Sequence, residues 1–332
     1  MVQSTQRSVR PLQPDALEAF RASFRTSVTR RILGFGLRAA RSAVFRTRNL
    51  FGAERVRLLR RNVIFPLRNA LLRNRSLRLE AGGQSFVLAP EGAIPLEIWA
   101  GRYFEKHELE FMLRILGPGM TFVDVGANVG LFSIPAAKKL QPGRVFAFEP
   151  SGWTYQQLNQ NAVLNKLDNL HSVQSALGDY RGEAVLQINT TGKDGLNTIG
   201  KPVHDDSEVV ASEVIPITTL DEFLQENAIT RVDAMKVDVE GAELLVFRGA
   251  KALLARADAP LILYESGILT KGLGYHPVET MWFLEELGYS LFTIDSSNGR
   301  IRALTGTQPR DAMLIAAKST HLAYPALQEF AR

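Results

Sequence analysis

Residues 122–132 read FVDVGANVGLF, and this stretch decides the fold. A run of apolar, β-branched residues predicts a buried strand that carries Asp124 near its end. Gly126, Asn128 and Gly130 then predict a tight turn, and the apolar spacing from 130 to 139 predicts a helix. Glycines let a backbone turn sharply and approach a ligand where a side chain would clash, and the first N–H groups of the helix are free to bind it. Nineteen residues beyond Gly130 a second apolar run, VFAFE, ends in Glu149, a carboxylate placed to accept both hydroxyls of a ribose. Strand, turn, helix, strand and terminal acid in this order predict a nucleoside-type cofactor.

Outward from this unit, apolar runs alternate with amphipathic stretches. Strands are expected at 121–125, 144–148, 170–175, 233–239, 260–265, 290–294 and 311–317. Helices are expected at 130–139, 152–166, 241–256 and 277–287. The alternation predicts a Rossmann-like, doubly wound α/β sheet of seven strands with right-handed crossovers. Between 178 and 219 it breaks: EAVLQINT and SEVIPITT read as two added strands bracketing a polar loop, residues 191–208, that is a candidate substrate lid containing His204. SLRLEAGGQSFVLA, residues 76–89, reads as a hairpin around Gly82-Gly83, and residues 107–117 as a helix stopped by glycine.

The 332 residues contain no cysteine, which excludes disulfides, thiolate metal sites and thiol nucleophiles. The net charge of +5 conceals an imbalance. Residues 1–80 carry 18 arginines and four acids, a charge of +14, against −9 for the remainder. Leu37, Val44, Phe51, Leu58, Phe65 and Leu72 recur every seven residues, so residues 1–75 are expected to form a basic amphipathic helical arm preceding a catalytic domain over 76–332. Over 30–61 the arm has ten arginines and one acid, the composition of a helix lying on an anionic membrane; packing on the acidic domain, or on a second subunit, is the alternative. The oligomeric state is open. No apolar run is long enough to span a membrane or to resemble a secretory signal, so the expected location is cytoplasmic, with attachment to the inner face of a membrane through the arm.

The spacing G-x-N-x-G identifies the cofactor further. Asn128 stands where a dinucleotide fingerprint has its middle glycine, and no phosphate-loop lysine follows. Asp124 would repel a pyrophosphate but suits a cationic amine. A ligand with an adenosine and an ammonium but no phosphate is S-adenosylmethionine. A second acidic centre lies in MKVDVEGAE. Strand alternation puts Met235, Val237 and Val239 on one face and Lys236, Asp238 and Glu240 on the other, at the sheet edge where ligands bind. Glu265 closes the next strand on the same edge. Asp238 and Glu240 are the candidate catalytic acids, and Lys236, Glu265 and His204 the candidate acceptor-binding residues. The competing reading makes Lys236 and Asp238 a buried ion pair and Glu240 a helix cap. The three carboxylates suit acceptor binding better than a divalent cation, so no metal is expected.

Over about residues 99–265 the chain resembles the FkbM family of S-adenosylmethionine-dependent methyltransferases. The matching pieces are FVDVGANVG, VFAFEPS, Asn161 and Asn165 in NQNAVLN, SALGD, ITTLDEF, MKVDVEGAE and LILYES. The resemblance implies a class I methyltransferase fold in which Asp124, Gly126 and Gly130, with Asn128 between them, line the methionine half of the cofactor. It also implies that Glu149 holds the ribose and that Ala176 and Leu177 border the adenine. The implied activity is O-methylation of a hydroxyl on a saccharide or other small molecule, and the membrane reading of the arm would point to a glycolipid or lipid-linked saccharide as acceptor. Two rivals remain. One is a nucleic-acid methyltransferase, against which stand the acidic catalytic region, the lack of an Asn-Pro-Pro motif and the lack of cysteine, so no nucleic-acid partner is expected. The other is a non-catalytic membrane scaffold that keeps a methyltransferase-like core, against which stand the intact acids.

Overall fold

In the computed structural model the central strands are those with least contact to water, as a parallel sheet covered on both faces requires. The structure describes residues 60, 64–65, 68, 76–89, 93–100, 105–189, 197–199, 209–295, 297–304, 306 and 312–330. The basic arm, apart from residues 60, 64, 65 and 68, lies outside them, as do His204 and all of the 191–208 loop except 197–199.

The chain opens with a hairpin, β1 (Leu77–Ala81) and β2 (Gln84–Leu88), then α1 (Ala93–Trp99) and α2 (Lys106–Ile115). The alternating core follows: β3 (Thr121–Val125), α3 (Ser133–Leu140), β4 (Arg144–Phe148), α4 (Gly152–Leu164) and β5 (Leu170–Val173). Then come β6 (Ala176–Leu177), β7 (Gly182–Asn189), β8 (Val209–Thr218), α5 (Leu220–Glu226), β9 (Ala234–Val237), α6 (Glu243–Arg248) and α7 (Lys251–Ala255). The last elements are β10 (Leu261–Ser266), a 3-10 turn over Ile268–Leu273, α8 (Pro277–Glu286), β11 (Ser290–Ile294), β12 (Ile301–Ala303), β13 (Ala312–Ala317) and α9 (Tyr324–Phe330).

The main sheet has the order β12-β11-β13-β10-β9-β3-β4-β5; β10, β9, β3, β4 and β5 run parallel, and the pairs involving β11 and β13 are antiparallel. Alternate residues of β3 feed different cores. Phe122 packs with Ile134, Ala137 and Leu158 of α3 and α4, while Val123 and Val125 pack with Val246, Phe247 and Met281 of α6 and α8. This is the doubly wound α/β architecture, with eight strands in place of the expected seven. The extra strand, β12, has three residues of which only Ile301 is buried, too little alternation to register as a strand.

Two further departures have local causes. The expected helix 241–256 is two helices, α6 and α7, broken at Gly249. A Cβ there would lie 1.8 Å from the Gly178 carbonyl oxygen, so glycine permits this close approach, and the Asp221 carboxylate starts α7 by accepting from the Ala252 and Leu253 amides at 2.7 and 3.0 Å. The expected strand 170–175 stops at 173, and residues 176–177 cross into a second sheet, β6-β8-β7, built from the two strands that bracket the long loop. The hairpin forms as its sequence implies, with Gly82 and Gly83 both at positive φ. Phe65, a member of the seven-residue stripe, is buried in the core beside Trp99 at 6.0 Å between ring centroids, and the guanidinium groups of Arg60 and Arg68 flank the same ring at 5.9 and 5.4 Å. Arg60, Phe65 and Arg68, from the segment expected to form the arm, therefore pack against Trp99 of α1.

Candidate active site

A cavity of about 420 Å³ lies at the C-terminal edge of β3, β4 and β9. Its first wall is the glycine loop. Gly126, at φ +77, leaves no room for a side chain, since a Cβ would sit 1.9 Å from the Asp238 carbonyl oxygen. The loop is thus pressed onto the turn that follows β9. Asn128 sits at φ +49, a left-handed conformation that asparagine tolerates, and its amide donates to Glu149 at 3.0 Å. The other Glu149 oxygen accepts from the Ser151 amide at 3.1 Å. Burial raises the Glu149 carboxyl to about 7, against the pull of those two amides. Gly126, Asn128, Glu149, Ala176 and Leu177 all line the cavity.

Asp124 and Gly130 lie behind this wall. Asp124 is fully buried, accepts from the Ser133 hydroxyl at 2.5 Å and stands opposite Lys236 in the β3–β9 register; its second oxygen has no hydrogen-bond partner among the described residues. Its pKa is raised by desolvation, with Lys236 opposing. Gly130, at φ +93, serves packing, since a Cβ would meet the side chains of Leu158 and Ile134 at 2.8 and 2.9 Å.

The opposite end of the cavity is acidic. Lys236 Nζ lies 2.8 Å from Asp238 Oδ2 and 4.9 Å from the Phe132 ring centroid. Desolvation alone would discharge this lysine, but the carboxylates of Asp238, Asp124 and Glu105 outweigh it and raise its pKa. The ion pair of the competing reading is therefore real, yet both partners still face the cavity. Glu240 occupies the left-handed region at φ +53, its carbonyl accepts from the Thr198 hydroxyl at 2.9 Å, and its side chain lines the cavity. One oxygen each of Asp238, Glu240 and Glu265 lie within 4.8 Å of one another. Burial raises the pKa values of both Glu240 and Glu265, with repulsion from Glu265 and Asp238 adding at Glu240 and from Asp238 and Glu243 at Glu265.

Two site residues escaped sequence reasoning. Glu243, rather than Glu240, caps the turn: its carboxylate accepts from the Val239 and Gly241 amides at 3.2 and 3.1 Å and is raised by burial to about 7. The acid three residues beyond Glu240, in the first turn of a helix, was the available signal. Glu105 precedes α2 in the left-handed region at φ 50 and reaches the cavity beside Lys236, its pKa raised by burial. No local motif marks it. From the long loop, Asn197 and Ile199 reach the cavity, whereas His204 lies outside the described residues. Trp99 packs in the core under Phe65, and His276 caps α8 by accepting from the Val278 amide.

A doubly wound sheet in which one cavity joins a glycine-loop wall, the buried carboxylate after β4 and an acidic far end belongs to the Rossmann-like class. The chain belongs to the FkbM methyltransferase family, an S-adenosylmethionine-dependent family: the methyltransferase FkbM domain matches residues 124–291. It is 30% identical over 152 residues to methyltransferase sdnD of Sordaria araneosa, covering 38% of this chain and 59% of sdnD. It is 26% identical over 177 residues to the hexuronic acid methyltransferase AglP of Haloferax volcanii (52% of this chain, 68% of AglP). It is 26% identical over 182 residues to the 31-O-demethyl-FK506 methyltransferase FkbM of Streptomyces tacrolimicus (47% and 66%). The chain thus spans little more than half of sdnD. Among the described residues no helix is long and apolar enough to cross a membrane.

Proposed function

We propose that this protein is an S-adenosylmethionine-dependent O-methyltransferase acting on a hydroxyl of a saccharide, glycolipid or other small molecule. One observation carries the reading: a single cavity joins the Gly126–Asn128–Glu149 wall to the acids Asp238, Glu240, Glu265 and Glu105. The residues present fit the cofactor. The Gly126 cradle would be filled by a Cβ, and each Glu149 oxygen keeps a lone pair for a ribose hydroxyl beyond its one backbone amide; Asp124, behind the wall, does not reach the cavity. S-adenosylmethionine supplies a methyl group already activated by its sulfonium.

The chain's own task is then to hold an acceptor oxygen in line and take its proton. Asp238, steered by Lys236 at 2.8 Å, is the acceptor for that proton, with Glu240 beside it in the same cavity. Glu240 and Glu265, whose buried carboxyls are biased toward the protonated form, would then both donate and accept, which suits a polyol with several hydroxyls. Lys236 supplies positive charge to Asp238 at 2.8 Å, and the reading invokes no metal. FkbM of S. tacrolimicus and AglP are named for 31-O-demethyl-FK506 and a hexuronic acid, which supports an acceptor of this general kind. The basic arm would bring the enzyme to an anionic membrane surface from the cytoplasmic side.

The test is calorimetric titration with S-adenosylmethionine, followed by transfer of labelled methyl into fractionated lipid, polysaccharide, small-molecule and nucleic-acid pools. Label in a hydroxyl compound supports the proposal. Label in nucleic acid favours the first rival, and absence of cofactor binding favours the scaffold.

A further inference from the structure

The hairpin β1–β2 lies outside the family-matched region, yet it is bonded to the cofactor loop through a ladder on α4. One edge of β2 pairs with β1. From its other edge the amides of Ser85, Val87 and Ala89 donate to side-chain oxygens of Asn165, Asn161 and Gln157 at 3.1, 2.7 and 3.2 Å, and Asn165 returns a bond to the Ser85 carbonyl at 2.7 Å. The geometry explains why a helix can stand in for a strand. Every second strand residue advances about 6.6 Å and every fourth helix residue about 6.0 Å, so amides at 157, 161 and 165 meet the outward N–H groups at 89, 87 and 85 nearly in step.

One rung of the ladder does more. Asn161, fully buried, also donates from Nδ2 to the Val129 carbonyl at 3.0 Å. Val129 lies within the glycine loop, one residue from Asn128, whose amide is bound by Glu149. Of the three amides, only Asn161 bonds to the hairpin and to the loop at once.

We infer that Asn161 is a positioning residue that couples the hairpin to the cofactor loop, so that seating the cofactor tightens the hairpin and loosening the hairpin weakens the cofactor. The inference rests on the cofactor reading above. Its physical basis is that a buried amide with both ends satisfied has one low-energy orientation. Displacing Val87 therefore leaves either the Val129 carbonyl or the Asn161 side chain unsatisfied. Coupling of this kind is reciprocal.

The experiment is residue-resolved hydrogen exchange of the full chain with and without saturating S-adenosylmethionine, joined to calorimetric affinities of two variants. The Val87 amide, more than 30 residues before the glycine loop, is expected to exchange about tenfold more slowly when the cofactor is bound. Asn161→Leu is expected to abolish that protection and weaken the cofactor about tenfold. Asn165→Ala removes a hairpin rung that does not touch the loop and should leave affinity within about twofold. A merely structural Asn161 would give no cofactor-dependent change at Val87. Binding without hairpin protection, or equal affinity losses in the two variants, overturns the inference alone. Absence of binding by the wild-type chain overturns the cofactor reading, and the inference falls with it. If Asn161→Leu does not fold, exchange in the wild-type chain still decides.

Discussion

Replacing Glu149 with glutamine separates what this residue does for the fold from what it does for the cofactor. The carboxylate is 7% exposed, and burial lifts its pKa from 4.5 to about 7, a penalty on the charged form of roughly 3 kcal/mol. Glutamine escapes that penalty. It also loses one acceptor, since its NH2 must face either the Asn128 or the Ser151 amide, and a hydrogen bond to a charged group contributes about 1.5–3 kcal/mol. That penalty is already net of both amide bonds, so the two effects oppose without being independent, and Glu149→Gln should shift the melting temperature by only a few degrees. Cofactor affinity has no such compensation, because the neutral amide offers ribose one acceptor where the carboxylate offers two. A loss of about 2 kcal/mol, or thirtyfold in Kd, is expected. The wild-type protein should show a matching pH dependence. Below about 7 the carboxyl must release a proton before it can accept two hydroxyl donors, so affinity should fall as pH drops from 7 toward 4.5, and the variant should be flat. Calorimetric titration across that range, with parallel thermal melts, reads both quantities. A well-folded variant with wild-type affinity, or a flat wild-type profile, would refute the ribose role.

Asp238→Asn should keep cofactor affinity within a few-fold while turnover falls by roughly a hundredfold or more, because only proton removal is lost; equal losses in binding and turnover would place Asp238 on the cofactor. Glu240 and Glu265 have folded-state pKa values above their unfolded value of 4.5, and Glu243 reaches about 7, so their contribution to stability is complete below 4.5 and is lost as pH rises through the raised values. Thermal melts should show stability declining from acid toward alkaline pH, more shallowly in Glu240→Gln; an unchanged slope would mean that Glu240 is not the buried proton holder described. Chelation by EDTA should leave turnover intact, since Lys236 already balances Asp238, and loss of turnover with restoration by one divalent ion would overturn that assignment. The full chain should float with anionic but not neutral vesicles and be released by high salt; failure to bind either would favour the packing that Phe65 and Trp99 already make at the end of the arm.

Sequence exposed those parts of the fold whose cause is local. The buried parallel strands appear as apolar runs because both their faces are covered. Gly126 and Asn128 appear as a turn because their positive φ values need those residue types, and the two strands around the long loop appear because they alternate. What stayed hidden depends on contacts between distant segments. The break at Gly249 follows from the carbonyl of Gly178, seventy-one residues earlier; Arg248-Gly249 is the local stop signal, but whether such a glycine ends a helix or only weakens it is decided by that distant contact.

The same distinction explains the site. Asp238 and Glu265 were legible because they stand at strand ends, which share one edge of an open sheet; Glu240 lies on the same edge, but in the turn after β9, which stops at Val237 short of the expected 239. Whether such a carboxylate faces the cavity or serves the backbone depends on which amides lie free nearby. Two acids three residues apart divided those roles in the reverse of the simple alternative: Glu243 took the amides of the turn, and Glu240 was left to the cavity in a strained left-handed conformation. Glu105 shows the limit. Its charge matters only because Lys236 and Asp238, more than 130 residues away, stand beside it, and it enters the site from a turn before α2 that nothing in its own neighbourhood distinguishes. A carboxylate with this origin lies outside the 124–291 match.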